Sequence, residues 1–126
     1  MTKPPREKLL TEVELELMTC LWQLEQGTVH DVLDALAPTR TLAYTSVSTM
    51  LRILVGKGVL AIRKEGRGHV YEPRISKAAY EATSLRHIVR RVFDGTPSAL
   101  VRRLLETETL NDAELASLRA LLRKRR

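Results

Sequence analysis

The fold is decided by AYTSVSTMLRILVGKG, residues 43–58, and by the stretch that follows it, VLAIRKEGRGHVYEP, residues 59–73. In the first, Val47, Met50, Leu51 and Leu54 recur at i, i+3, i+4 and i+7, the apolar stripe of a helix with one face in a core. This predicts a helix over about residues 43–57, with Gly58 as its left-handed stop. The opposite side carries Thr45, Ser46, Ser48, Thr49 and Arg52 and is short, polar and almost free of acids. In the second stretch the period falls to two. Residues 59–64 and 69–73 read as strands joined through Glu65-Gly66-Arg67-Gly68, a β-hairpin with a basic, glycine-rich tip.

Upstream, Thr11 and Glu14 have the spacing of a capping box, with Leu10 and Leu15 as a hydrophobic staple. Leu17, Met18, Leu21 and Trp22 continue as a helical stripe that Gly27 is expected to end. A second short helix begins after Thr28, has Asp31 at its third position, carries Val29, Val32, Leu33 and Leu36, and stops before Pro38. Residues 39–42 read as a polar connector. Three short helices and a basic hairpin in this order predict a mainly α fold: a winged helix-turn-helix with a small β-hairpin wing.

Downstream the pattern is helical to the end. One helix is expected over residues 77–93, bearing Leu85, Ile88, Val89 and Val92, with Gly95 behind it. Thr96-Pro97 reads as an N-cap and a proline at the first helical position, opening a helix with Leu100, Val101, Leu104 and Leu105. Asn111 and Glu114, flanked by Leu110 and Leu115, repeat the capping design before Leu118, Leu121 and Leu122. Such helices need a partner surface to be stable. About fifty residues make a small core, so pairing with a second copy is the economical solution. The expected division is a winged-helix DNA-binding domain over 1–75 and a helical dimerisation domain over 76–126, with Leu85, Val89, Leu100, Leu104, Leu115, Leu118 and Leu122 at the dimer interface.

Charge sharpens the reading. Among 126 residues, 21 Lys and Arg stand against 15 Asp and Glu, a formal net charge of +6. Residues 1–39 hold three bases and seven acids; residues 40–75 hold seven bases and two acids; residues 76–126 hold eleven bases and six acids. The predicted third helix and hairpin therefore lie in a segment of net +5, where a DNA reader of this design needs positive charge. With only five aromatic residues, base stacking on an aromatic platform is disfavoured, which leaves duplex binding through phosphates and groove edges. Hydrophobic residues at 44% argue against disorder of the whole chain. Residues 1–10 hold no apolar stretch of signal-peptide length, and no run approaches a membrane span, so a cytoplasmic protein without membrane insertion is expected.

In this design the third helix enters the major groove. Thr45, Ser46, Ser48 and Thr49 offer hydroxyls to phosphates or base edges, and Arg52 offers a guanidinium to a guanine edge or a phosphate. Tyr44, at the start of the helix, suits either a phosphate hydrogen bond or core packing. Arg63, Lys64, Arg67 and His69 suit contact with the DNA backbone or the adjacent minor groove, the alternative being a merely soluble turn. Cys20 and Trp22 belong to the core. The single cysteine excludes an intrachain disulfide. His30, His69 and His87 fall in three separate elements, so no metal site is expected, and neither a catalytic constellation nor a cofactor loop stands out. A protein-interaction adaptor and a non-specific nucleoid protein are the alternatives to a sequence-specific repressor.

Leu10-Thr11-Glu12, Leu17-Met18, Leu21-Trp22, residues 43–47 (AYTSV) and Thr49-Met50-Leu51 form an ordered series. Lys57-Gly58, Lys64-Glu65-Gly66-Arg67, Tyr71-Glu72-Pro73, Phe93-Asp94-Gly95 and Leu100-Val101 extend it over nearly the whole chain. In order and spacing, the series resembles the penicillinase and methicillin-resistance repressor family (BlaI/MecI type). The resemblance implies a homodimeric repressor that binds a dyad operator, often of β-lactam resistance genes. It further implies relief of repression by a membrane metalloprotease sensor through cleavage in the C-terminal region. The chain departs from the family pattern at Ser48, where a basic residue is frequent, and at Ile53-Leu54, where Arg-Leu is frequent. The family's Asn-Phe cleavage site aligns with Arg103-Leu104. The C-terminal cysteine cluster of copper-responsive relatives has no counterpart.

Overall fold

A computed structural model describes residues 9–125. Within them lie α1 (Glu12–Leu24), α2 (Val29–Leu36), α3 (Tyr44–Gly56), β1 (Leu60–Glu65), β2 (Gly68–Pro73), α4 (Lys77–Val92), α5 (Pro97–Thr107) and α6 (Asp112–Lys124). This is a mainly helical winged helix-turn-helix chain with a two-stranded antiparallel wing.

The helix starts are built locally. Thr11 accepts from the Glu14 N–H while the Glu14 carboxylate accepts from the Thr11 N–H, a closed capping box. Thr28 with Asp31 and Asn111 with Glu114 close the same reciprocal pair at α2 and α6. Each satisfies two N–H groups that a helix start otherwise leaves unpaired. Thr96 occupies the N-cap of α5 ahead of Pro97, but its side chain makes no capping hydrogen bond.

The end of α1 differs from expectation. Glu25, not a glycine, takes the positive φ of 72° there. Gly27 is used elsewhere: its N–H and C=O exchange hydrogen bonds with Tyr71 at 2.9 and 2.8 Å, adding a one-residue bridge beside β2. A Cβ at Gly27 would come within 3.1 Å of the Asp31 Cβ, so close approach of the α2 capping residue favours glycine there. Gly58, φ 84°, turns the chain out of α3 as the sequence predicts.

The core is one cluster. Leu17, Met18 and Leu21 of α1, Val29, Val32 and Leu36 of α2, and Val47, Leu51 and Leu54 of α3 close on Val59, Leu60 and Tyr71 of the wing. Met50, expected on the buried stripe, is only half-buried against the edge of this cluster, and Leu42 of the polar connector packs there too. Cys20 is buried, and loss of solvation pushes its thiol pKa up, so it is a packing residue and not a reactive thiolate. Trp22 donates its indole N–H to the Ile75 carbonyl at 3.0 Å and lies 5.8 Å from the Tyr80 ring. Tyr80 in turn accepts from the Leu10 N–H at 3.0 Å, tying the first turns of α4 to α1.

Two compact units result, one extending to His87 and the other from Ile88, so the division falls inside α4. In the second unit α5 and α6 bury no residue, and neither does α4 at the junction.

Candidate nucleic-acid interface

At 3.6 residues per turn, Thr45, Ser46, Thr49, Arg52 and Ile53 share one side of α3, and all five are exposed. The buried stripe Val47, Leu51 and Leu54 faces the other way. Ser48 is half-buried at the edge of the outward face rather than at its centre. Tyr44 is 48% exposed, its ring 5.0 Å from that of His30. The core-packing alternative for Tyr44 is therefore not the one adopted.

The start of α3 is unlike those of α1, α2 and α6. Its N-cap is Ala43, no side chain caps it, and its first turn holds no acid. The first N–H groups of α3 thus have no side-chain cap, and they lie at the positive end of the helix dipole beside Thr45 and Ser46. Composition alone hides this feature; its signal in the sequence is an alanine where α1, α2 and α6 carry Thr or Asn.

The wing presents its basic tip through strict register. Lys64 pairs with His69 and Glu65 with Gly68, leaving Gly66-Arg67 as a two-residue turn. Gly66 has φ 61° while Arg67 keeps a negative φ, the signs of a type II′ turn, whose twist matches that of the strands. Lys64 and Arg67 are exposed and make no ion pair among the described residues; Arg52 likewise has none. Arg63 differs. It donates to Gln26 at 3.1 Å and to Glu65 at 3.2 Å, with Glu72 at 3.8 Å, so it is held against the protein's own surface.

The ion pairs revise the charge map. Arg40 binds Glu16 at 2.7 Å, and Lys57 binds Glu14 at 2.6 Å. Two of the seven bases in the 40–75 segment are thus matched by acids of α1. Burial would raise the Glu14 pKa, but the Lys57 ammonium and the Thr11 N–H and hydroxyl hold it below the usual carboxylate value. The hydrogen bond to Glu16 likewise raises Arg40. Of the remaining bases of that segment, Arg52, Lys64, Arg67 and Arg74 make no ion pair among the described residues; the first three lie on α3 and the wing, and Arg74 directly follows β2. No group of three or more potential metal ligands occurs among the described residues. No described helix is long and apolar enough to cross a membrane.

Fold and surface together define a winged helix-turn-helix protein with its outward α3 face bare of acids. The family model described as penicillinase repressor matches residues 10–124, and the chain belongs to that family. The penicillinase repressor of Bacillus licheniformis is 31% identical over 113 residues, 90% of this chain and 88% of that protein. The solution structure of the DNA-binding domain of the repressor BlaI is 35% identical, with a TM-score of 0.53, over 64% of this chain and 94% of that one. The Bacillus licheniformis BlaI monomer in complex with the blaP half-operator is 33% identical, with a TM-score of 0.50, over 60% of this chain and 92% of that one.

Proposed function

We propose that this chain is a DNA-binding transcriptional repressor, not an enzyme, that reads an inverted-repeat operator as a homodimer. The observation that carries the reading is the outward face of α3: hydroxyls and an unmatched Arg52 over an uncapped, acid-free helix start. Thr45, Ser46, Thr49 and Arg52 enter the major groove, with Ser48 at the margin. The free α3 N–H groups and Tyr44 receive phosphate oxygens. Lys64 and Arg67 hold the flanking backbone. Arg63 joins them only by exchanging Glu65 and Glu72 for phosphate.

Residues 1–75 act as the DNA-binding part and 76–126 as the dimerisation part. Support for pairing comes from α4, α5 and α6, none of which buries a residue within one chain. Leu85, Leu104, Leu118 and Leu122 are exposed, and Val89, Leu100 and Leu115 only half-buried. A second copy covers these side chains, and its twofold axis sets the dyad of the operator. The protein works in the cytoplasm, where its target is. Its regulated genes include β-lactam-resistance or related sensor-protease genes, and a membrane metalloprotease sensor pathway relieves repression. Arg103-Leu104, where a cut of that kind would fall, lies within α5.

Selection of bound duplexes from a random library tests the proposal. Enriched sites should contain an inverted repeat with half-site centres a whole number of helical turns apart, ~10 base pairs or a multiple. Inserting about half a turn between half-sites should then abolish tight binding. Enrichment of unrelated sequences with no common repeat would contradict it.

A further inference from the structure

Ile53 is the one large apolar side chain on the outward face of α3, 46% exposed among Thr49, Arg52 and the hydroxyls before them. It follows Thr49 by four residues and Ser46 by seven, so the three lie along one line of the helix. Seven residues rise about 10.5 Å, close to three base-pair steps. Ile53 therefore sits beyond the base pairs opposite Ser46, not on top of them. Single exposed apolar residues are ordinary on a protein surface. This one interrupts a face whose other side chains all carry hydrogen-bonding groups and whose cation, Arg52, makes no ion pair among the described residues.

A branched hydrocarbon has nothing to offer a phosphate or a hydrogen-bonding base edge. In the major groove one apolar group is available to it, the C5-methyl of thymine. We infer that Ile53 is a specificity-determining residue of the α3 face, selecting a thymine by contact with its methyl group about three base pairs from the Ser46 end. The inference rests on the proposed groove reading and deepens it. Thr45 and Thr49 also carry methyl groups, so the test must assign a thymine to Ile53 in particular.

The experiment replaces each thymine of a selected operator, one at a time, by deoxyuridine, which lacks only that methyl. Wild type and Ile53→Ala are titrated against every duplex, and circular dichroism confirms that both are folded. One substitution should weaken wild-type binding by ~4-fold, the effect of exposing one methyl-sized group. The same substitution should leave Ile53→Ala unchanged, and Ile53→Val should retain part of the effect. Operator preference with no deoxyuridine effect, or with an equal effect in both proteins, overturns the role of Ile53 and leaves the groove reading standing. Failure of the wild type to prefer any duplex overturns both.

Discussion

Arg52 projects from the outward line of α3, one turn from Thr49, and makes no ion pair among the described residues. A guanidinium so placed is open to a guanine edge or to a phosphate, and its replacement separates the two. Arg52→Ala should cost ~1–3 kcal/mol of operator binding and relax specificity at one base pair if the partner is a base edge. Equal losses on operator and random duplex, measured by fluorescence anisotropy, would assign it to the backbone. Glu14 is the other residue whose role is chemically sharp. Its carboxylate closes the α1 capping box and also accepts from Lys57. Because its folded pKa is lowered, the stability it contributes is present above its ordinary value of 4.5 and lost as pH falls through the folded value. Glu14→Gln should cost ~1–2 kcal/mol at neutral pH, moderated because half-exposed Lys57 remains hydrated. It should also flatten the loss of stability below pH ~4.5. Urea denaturation across that range checks this, and an unchanged acid slope would remove Glu14 from the account.

The elements differ in how much of them can be read from sequence. Thr11 with Glu14 and Asn111 with Glu114 are legible because capping joins groups three residues apart. The α3 stripe and the wing are legible because their periods differ, with Gly58 and Gly66 marking the turns. Lys57–Glu14 is not legible: the pair is separated by 43 residues, and only tertiary packing brings it together. The exchange of roles between Glu25 and Gly27 escapes for the same reason, since the demand on Gly27 comes from Tyr71 and Asp31. Gly27→Ala should therefore cost ~1–2 kcal/mol in thermal or urea unfolding by displacing the α2 capping residue; wild-type stability would show that Asp31 shifts freely. At the wing, Arg67→Ala should lower affinity for all duplexes alike and reduce the salt slope by about one. An unaltered slope would take the turn off the DNA.

For the whole molecule, the net charge of +6 matters less than its distribution. Within residues 40–75, the acids of α1 offset Arg40 and Lys57, which leaves Arg52 on α3 and Lys64 and Arg67 on the wing among the bases without an ion pair. The helices after the wing leave their leucines largely uncovered, Leu122 at 73% exposure. Their amphipathic spacing is plain in the sequence; what covers them is not, because local periodicity marks an apolar face without naming the surface that meets it. Charges placed at Leu118 and Leu122 together should yield monomers by light scattering and weaken binding to an inverted repeat more than to a half-site. An unchanged dimer would move the interface elsewhere, and a wild-type monomer at micromolar concentration would contradict the dimer outright. The central claim is sequence-specific recognition of duplex DNA. Its most direct test is titration of the full chain, at ~150 mM salt, against a selected operator and a scrambled duplex of the same composition. A preference of at least ~10³-fold for the operator is expected of a specific repressor; equal affinity for the two duplexes would contradict it.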